Sequence, residues 1–515
     1  MQRENFRGSA DGVSESVLET HRSTAEELLD DEYGLLIGGE WVEGSAEPEA
    51  AVDAVTGEEL ATYQRGTSDD VDRAVAAAQD AFEGAWGDMD GRQRAEKLEE
   101  LADRIEERKA DLAKIDPLEM GKPNQLSLFA DFTILLRQLR HFASLARTED
   151  AGRSPNTSGD KLGYTQREPY GVVGQISAWN FPAMFVAWKT APALAAGNTV
   201  VFKPSPRAVL STLELADLMD DVLPEGTVNV VPGDGPEVGA AISEHDDVRK
   251  VSLTGSERAG RAVMQGAAAN MKAVSLELGG KSPNIVCADA DIEDATEGAM
   301  VASFFNAGQQ CTEGARLFLH EAIADEFLET FTEKMERLEL GDPLAPNTTV
   351  GPLVDHEHLE TVQGYVDTAV AQGAEVLAGG DAPDIEGCGD APFFEPTVLT
   401  NVDHDHTVAC EEVFGPVITV HEWSDRDEMV AQANDTEYGL ASAVWTTDLE
   451  TAHTVADDLE AGTVWVNCYN EMGEAMPHGG YKRSGIGREL DEEAFEDYRR
   501  TKSVLVNFGK PARLG

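Results

Sequence analysis

The sequence predicts an α/β fold built as two successive units of short strands alternating with helices. Three observations carry this. From Tyr164 onward, short apolar runs alternate with helix-length segments, the pattern of parallel strands joined by crossover helices. The ends of these runs carry single polar or small residues, namely Trp179-Asn180, Lys203, Gly235, Gly255-Ser256 and Glu277, where open parallel sheets place their ligands. A chain of 515 residues also exceeds one ordinary core, so two or three domains are expected.

Residues 1–32 are polar and acidic and are expected to form a mobile tail, with a short helix around Ser16 to Leu29. Tyr33 to Val42 reads as two short strands around the Gly38-Gly39 turn. Ser68 is the expected N-cap of a helix reaching Phe82, with Asp69 and Asp70 in its first turn. Leu98, Leu101, Ile105 and Leu112 recur at helical spacing within Gly91 to Ile115. Another helix is expected over Leu126 to Leu145, followed by a connection or arm from Arg147 to Lys161.

The first alternating unit places strands at Val172 to Ile176, Asn198 to Phe202, Thr227 to Val231, Val248 to Leu253 and Ala273 to Leu278. Helices fall at Ala183 to Ala196, at Val209 to Val222 and from Ser256 to about Ala269. In the second unit, helices are expected at Glu293 to Phe305, Ala324 to Leu338 and Leu359 to Gln372. Its strands are expected at Val417 to Val420, Ala441 to Trp445 and Thr463 to Asn467, with a late strand from Thr501 to Phe508. Glu277-Leu278-Gly279-Gly280 joins the units, so the site is expected in the cleft between them.

The formal net charge is −56, spread along the chain in pairs and triplets. It repels phosphates, which argues against nucleic acid and anionic membrane as partners. It suits a surface adapted to molar salt, where a short Debye length screens self-repulsion. Five cysteines stand at non-metal spacing, so neither a zinc site nor a disulfide framework is expected, and a reducing cytoplasm fits. The N-terminus has no apolar leader, and no apolar run has the length to span a bilayer.

Cys311 sits among small and amide residues in Phe305-Asn306-Ala307-Gly308-Gln309-Gln310-Cys311-Thr312-Glu313-Gly314. A thiolate there is a strong nucleophile within reach of a substrate, although a lone cysteine also serves as a small buried hydrophobe. Thr254-Gly255-Ser256 follows a strand and opens a helix, so its backbone N–H groups suit a pyrophosphate. It is not the G-x-G-x-x-G of a pure Rossmann turn.

Taken with Ser177-Ala178-Trp179-Asn180-Phe181-Pro182, Lys203-Pro204-Ser205, Leu276-Glu277-Leu278-Gly279-Gly280-Lys281, Gly308-Gln309-Gln310-Cys311, Glu412-Val413-Phe414-Gly415-Pro416-Val417, Trp465-Val466-Asn467 and Gly479-Gly480-Tyr481-Lys482, these motifs give a clear resemblance. The chain from Tyr33 to Phe508 resembles the aldehyde dehydrogenase superfamily. The resemblance implies a Rossmann-like NAD(P)-binding domain over 33–146 and 164–278 and an α/β catalytic domain over 279–480. It also implies a small β oligomerisation arm over 147–163 and 490–515, and a homodimer or homotetramer.

It further implies that Cys311 attacks an aldehyde, that Asn180 and the Cys311 backbone N–H hold the oxyanion, and that Glu277 is the general base. Oxyanion donors of this kind contribute about 3 kcal/mol each. By the same resemblance, Ile176, Trp179, Lys203, Ser205, Gly235, Gly255, Ser256, Gly260, Leu278, Glu412 and Phe414 bind the cofactor. Phe181, Trp188, Gln310, Thr312 and His478 line the substrate mouth. No metal is expected. NAD is the expected cofactor. Pro206 and Arg207 stand where NAD-selective members often carry a glutamate, so NADP stays open. Glu313, Glu471 and Glu474 are expected to attract a cationic aldehyde such as betaine aldehyde or an aminoaldehyde. Two alternatives stay open: a CoA-acylating semialdehyde dehydrogenase, against which Glu277 speaks, and a silent structural or binding member, against which Cys311, Glu277 and Asn180 together speak.

Overall fold

Strands buried on both faces are rich in apolar residues, and three neighbouring ones, Val172–Ile176, Thr199–Lys203 and Lys250–Thr254, are buried at every position, with Gln175, Lys203, Lys250 and Ser252 as buried polar exceptions. They form the centre of an eight-stranded sheet in the computed structural model, which describes residues 12–148, 152–157 and 159–510. The sheet runs in the order Gly485–Ile486, Ala273–Glu277, Lys250–Thr254, Val172–Ile176, Thr199–Lys203, Val228–Val230, Leu35–Ile37, Glu40–Val42. The five middle strands are parallel and the edges antiparallel. The chain leaves Val172–Ile176 in one direction and later returns to its other side through Lys250–Thr254. That is a topological switch point, and a crevice opens at the carboxyl ends of strands that flank one.

The second sheet has seven strands, in the order Glu375–Ala378, Thr397–Thr400, Val417–Trp423, Arg316–His320, Pro283–Val286, Ala441–Trp445, Thr463–Val466. All but the first pairing are parallel. The chain passes from Glu277 at the end of one sheet to Pro283 at the start of a strand in the other. Among the described residues no helix is long and apolar enough to cross a membrane.

Four expectations need correction. Thr67, not Ser68, is the N-cap: Thr67 is extended, and the Asp70 carboxylate reaches back to its N–H at 2.9 Å. The helix expected from Leu126 is instead a widened π-turn, Ser127–Asp131, followed by Phe132–Thr148. The wider turn carries two fully buried residues to their partners, Ser127 to Asp116 at 2.9 Å and Asp131 to Lys122 at 2.7 Å. The arm is a two-stranded antiparallel pair, Lys161–Pro169 with Arg499–Asn507. The helix Asp491–Asp497, assigned to the arm from sequence, instead buries Ala494 and Phe495 in the main core. Parts of the expected arm at 149–151, 158 and 511–515 lie outside the described residues, as do residues 1–11 of the expected tail.

The fourth correction concerns the rest of that tail. Glu15–Leu28 is a helix capped by Ser14 and docked on the body. Its His21 is 1% exposed and sits between two carboxylates, with Nδ1 2.7 Å from Asp53 and Nε2 2.9 Å from Asp342. Composition signalled a solvated segment, but one histidine bridging two acids anchors it. Burial alone lowers the His21 pKa, yet the bonds to Asp342 and Asp53 outweigh it and raise the group from 6.5 to about 9. A raised pKa means that the protonated form stabilises the fold. That contribution is complete below about pH 6.5 and is lost as pH rises through about 9. His21→Leu is therefore expected to lower the melting temperature clearly at pH 6 and progressively less toward pH 10. A deficit that stays constant across this range would contradict the ion-pair account.

Candidate active site

The Cys311 loop begins where helix Ile292–Phe304 stops. Asn306 (φ 53°, ψ 37°), Ala307 (φ 53°, ψ 38°) and Gly308 (φ 70°) are three consecutive left-handed residues. For the two that carry a Cβ this costs about 1–2 kcal/mol each. The bend is held by side chains. Asn306 Nδ2 donates to the carbonyls of Asn180 and Gln309, both at 3.2 Å. Gln309 Nε2 donates to the Asn306 carbonyl at 3.1 Å, and Gln309 Oε1 accepts from the Val354 N–H at 3.0 Å.

This loop brings Cys311 to the cleft. Asn180, just beyond the switch-point strand Val172–Ile176, is buried and donates Nδ2 to the Gln309 carbonyl at 3.0 Å. Its amide therefore lies against the Cys311 loop, with a second N–H to give. Cys311 is partly exposed, but the surrounding protein still pushes its thiol up to about 12, aided by the charges of Glu412 and Glu277. Its own N–H and that of Thr312 pull the other way. At neutral pH the resting thiol thus keeps its proton and needs a base or an opposing charge to ionise.

Glu277 ends its strand, is 5% exposed, and has an Oε2 without a hydrogen-bond partner. Burial first, and then the Glu489 charge, raise its pKa well above the usual carboxylate range, against the pull of Lys189 and Arg488. A carboxylate so placed is a stronger base than one in water. Behind it lies a buried polar cluster. Lys189 Nζ donates to Ser252 Oγ at 2.9 Å and to Glu489 Oε1 at 3.1 Å, and Ser252 Oγ donates to the same Glu489 oxygen at 3.0 Å. The sequence reading gave Lys189 and Glu489 no role. A signal existed for the first: Lys189 is a cation inside the helix Pro182–Ala195, which is otherwise almost wholly apolar and buried at every position.

The crossing between sheets brings in Glu412. Its Oε1 accepts from the Gly280 N–H at 2.9 Å, and burial raises its pKa to about 7. A Cβ on Gly279 would lie 2.2 Å from Glu412 Oε2 and would push that carboxylate aside, and one on Gly280 would lie 2.3 Å from the Cys311 backbone carbonyl, so only glycine fits at position 280. Glu313 is not at the mouth, where sequence placed it. It is 3% exposed with no hydrogen-bond partner for Oε1, and its charge acts on the equally buried Lys281, whose pKa burial lowers to about 8. The chain turns here, the Glu313 N–H donating to the Gln310 carbonyl at 3.1 Å, so position 313 is carried into the interior rather than along an extended strand beside Cys311.

Beside the switch point runs an open groove. Trp179, Gly235, Gly255, Ser256, Glu412 and Phe414 keep surface exposed above a buried floor that includes Ile176, Lys203, Ser205, Gly260 and Leu278. A Cβ at Gly235 would meet nothing within 4 Å, whereas one at Gly260 would strike the Leu278 side chain at 2.8 Å. Ser256 caps the helix Glu257–Ala268, accepting from the Ala259 N–H at 3.3 Å. Burial lowers the pKa of Lys203 to about 8, and its Nζ donates to the Pro204 carbonyl at 2.6 Å. Trp179 and Phe414 meet edge to face at 5.5 Å. An ammonium, a helix start, a carboxylate and an aromatic wall in one groove suit a dinucleotide's ribose, pyrophosphate and ring. Arg207 is taken up by Asp355 at 3.0 Å and Glu357 at 2.8 Å.

The opposite mouth is aromatic. Phe181 stacks near Phe305 at 6.2 Å, and Trp188 packs on His478 at 5.4 Å, with Met184, Phe185 and Leu490 in the same cluster. One face of Phe181 already carries the Lys122 ammonium, 4.1 Å from the ring centroid. Burial, with the Arg488 charge, lowers the His478 pKa to about 4. Gln310 and Thr312 are 2% and 3% exposed, and their side chains bond to Asn470 rather than face the opening.

The model of the aldehyde dehydrogenase family matches residues 41–504. The human mitochondrial aldehyde dehydrogenase is 42% identical over 477 residues, covering 92% of this chain and 91% of its own length. An aldehyde dehydrogenase from Bacillus cereus solved as its NAD+ complex is 41% identical, with a TM-score of 0.91 over 94% of this chain and 98% of that one. The betaine aldehyde dehydrogenase of Staphylococcus aureus in complex with NAD+ is 38% identical, with a TM-score of 0.93 over 96% and 98% of the two chains.

Removing one partner of a buried ion pair typically costs about 3–5 kcal/mol, because the other charge is left uncompensated. Lys189→Met is thus expected to lower the melting temperature sharply. The double variant Lys189→Met with Glu489→Gln should recover part of that loss. No recovery would mean that the pair is not coupled.

Proposed function

The chain belongs to the aldehyde dehydrogenase family, and on that premise we propose which of its residues perform the oxidation of an aldehyde to its carboxylic acid. Lys203, Ser205, Ser256 and Glu412 would hold NAD, which supplies the hydride acceptor when bound. Cys311 Sγ, once deprotonated, bonds to the aldehyde carbon. Asn180 Nδ2 and the Cys311 backbone N–H hold the oxygen as its negative charge develops, a stabilisation of about 3 kcal/mol for each donor. Loss of hydride from that adduct leaves a thioester on Cys311. Glu277 takes a proton from water as the water attacks the thioester, which releases the acid and regenerates the thiol.

The observation that carries the reading is the convergence of three side chains from separate elements. The switch-point crevice supplies Asn180, the sheet crossing supplies Glu277, and the strained loop supplies Cys311. The raised basicity of Glu277 supports water, rather than CoA, as the acyl acceptor. The occupied side chain of Arg207 favours NAD over NADP, since it has no free charge for a 2′-phosphate. We further infer an uncharged aldehyde as substrate. Glu313 is turned away, the mouth is aromatic, and one Phe181 face is already filled by a cation. The exposed Leu162, Leu505 and Phe508 along the arm support pairing with another subunit. Five free cysteines support a reducing compartment, and the charge of −56 supports a requirement for salt.

Cys311→Ala is expected to abolish NADH formation. Glu277→Gln is expected to release about one NADH per site in a burst and then stall, lowering kcat by a hundredfold or more. Full turnover in either variant would remove that residue's role. For the substrate, kcat/KM with benzaldehyde and hexanal should exceed that with betaine aldehyde in high salt. The reverse order would restore a cationic substrate.

A further inference from the structure

Asn470 belongs to the loop after the strand Thr463–Val466 and holds a left-handed backbone, φ 56°. Its amide grips both neighbours of the nucleophile. Nδ2 donates to Gln310 Oε1 at 2.7 Å, and Oδ1 accepts from Thr312 Oγ1 at 2.9 Å. The adjacent Tyr469 hydroxyl donates to the Thr312 carbonyl at 2.7 Å. One dipeptide thus ties down the chain immediately before and after Cys311.

The direction of each bond follows from the others. Gln310 Nε2 donates to the Ala302 carbonyl at 3.0 Å, which leaves Gln310 Oε1 as an acceptor. Asn470 must therefore present its NH2 group to Gln310 and its oxygen to Thr312, whose hydroxyl must donate. A carboxylate at position 470 could still accept from Thr312. Toward Gln310, however, it would set oxygen against oxygen with no proton between them, and it would add a negative charge beside a thiol that already feels Glu412 and Glu277. In a chain with 96 acidic residues, all three side chains of this clamp are neutral.

We propose that Asn470 is a positioning residue: by bonding Gln310 and Thr312 together it fixes the Cys311 backbone N–H and sulphur in the reactive orientation. This rests on Cys311 being the nucleophile. The clamp acts on the Gln310–Cys311 peptide, whose N–H is the oxyanion donor, so its loss misplaces donor and sulphur together. Displacements of about 1 Å at a reacting centre cost on the order of a hundredfold in rate.

The test compares Asn470→Ala, Asn470→Asp, Thr312→Val and the double variant Asn470→Ala with Thr312→Val in the full-length enzyme. The readouts are kcat, KM for the aldehyde, NAD binding, and the pH dependence of Cys311 alkylation by iodoacetamide. Asn470→Ala and Asn470→Asp should lower kcat about tenfold or more with KM and NAD binding within about twofold. Asn470→Asp alone should shift the alkylation midpoint to higher pH. Thr312→Val should lower kcat in the same direction, and the double variant should be no worse than Asn470→Ala, because both break one clamp. Unchanged kcat in both Asn470 variants, or losses that multiply in the double variant, would overturn the proposal. Cys311→Ala serves as the control: if it still turns over, the nucleophile assignment fails, whereas a dead Cys311→Ala beside fully active Asn470 variants refutes the clamp alone. If an Asn470 variant does not fold, Thr312→Val decides by the same kcat and alkylation readouts.

Discussion

Two glycines at the passage between sheets set the limit on everything around them. Gly279 and Gly280 carry the chain from Glu277 into the second sheet, where one more carbon would strike the Cys311 backbone at Gly280 or displace the Glu412 carboxylate at Gly279. The Glu412 carboxylate fills the space a Gly279 side chain would need, and the Cys311 carbonyl fills that of Gly280. The Gly280 N–H then binds Glu412. A single close approach therefore registers Glu277, the Cys311 loop and Glu412 against one another. Elements from two sheets meet to a fraction of an ångström only because the backbone there is bare.

Electrostatics builds on that registration. Cys311 lies among groups that burial pushes toward neutrality: Glu277, Glu412 and Glu313 upward, Lys281 downward. In a low dielectric such groups ionise only with a partner. Lys281, with a pKa of about 8, still carries most of its charge at neutral pH, whereas Glu412, at about 7, is divided between its two forms. The Lys189–Glu489–Ser252 cluster differs, its ammonium and hydroxyl both bonded to Glu489 Oε1 while Glu489 Oε2 has no partner. It forms a rigid wall behind Glu277.

The two-sheet fold was legible from alternation and strand-end residues, because parallel strands buried on both faces leave a continuous apolar record. Cys311, Asn180 and Glu277 emerged only from motifs in a familiar order; periodicity alone left each as an ordinary loop or strand-end residue. What stayed hidden depended on direction and distance. Glu313 sits two residues from Cys311 in sequence but is buried in the interior. Gln310 and Thr312 flank Cys311 yet turn to Asn470. The helix Glu15–Leu28 has the composition of a tail and is held by one histidine whose two acids lie far away in the chain. No local pattern encodes such pairings.

The wall behind Glu277 also has a meaning in the order of synthesis. Lys189 and Glu489 are 300 residues apart, and the edge strand Gly485–Ile486 closes back onto the strand that ends in Glu277. Nearly the whole polypeptide must leave the ribosome before Glu277 is enclosed. Contacts of such separation form late. Until then the surroundings of Cys311 are incomplete, and the cleft between the sheets closes only with the last part of the chain.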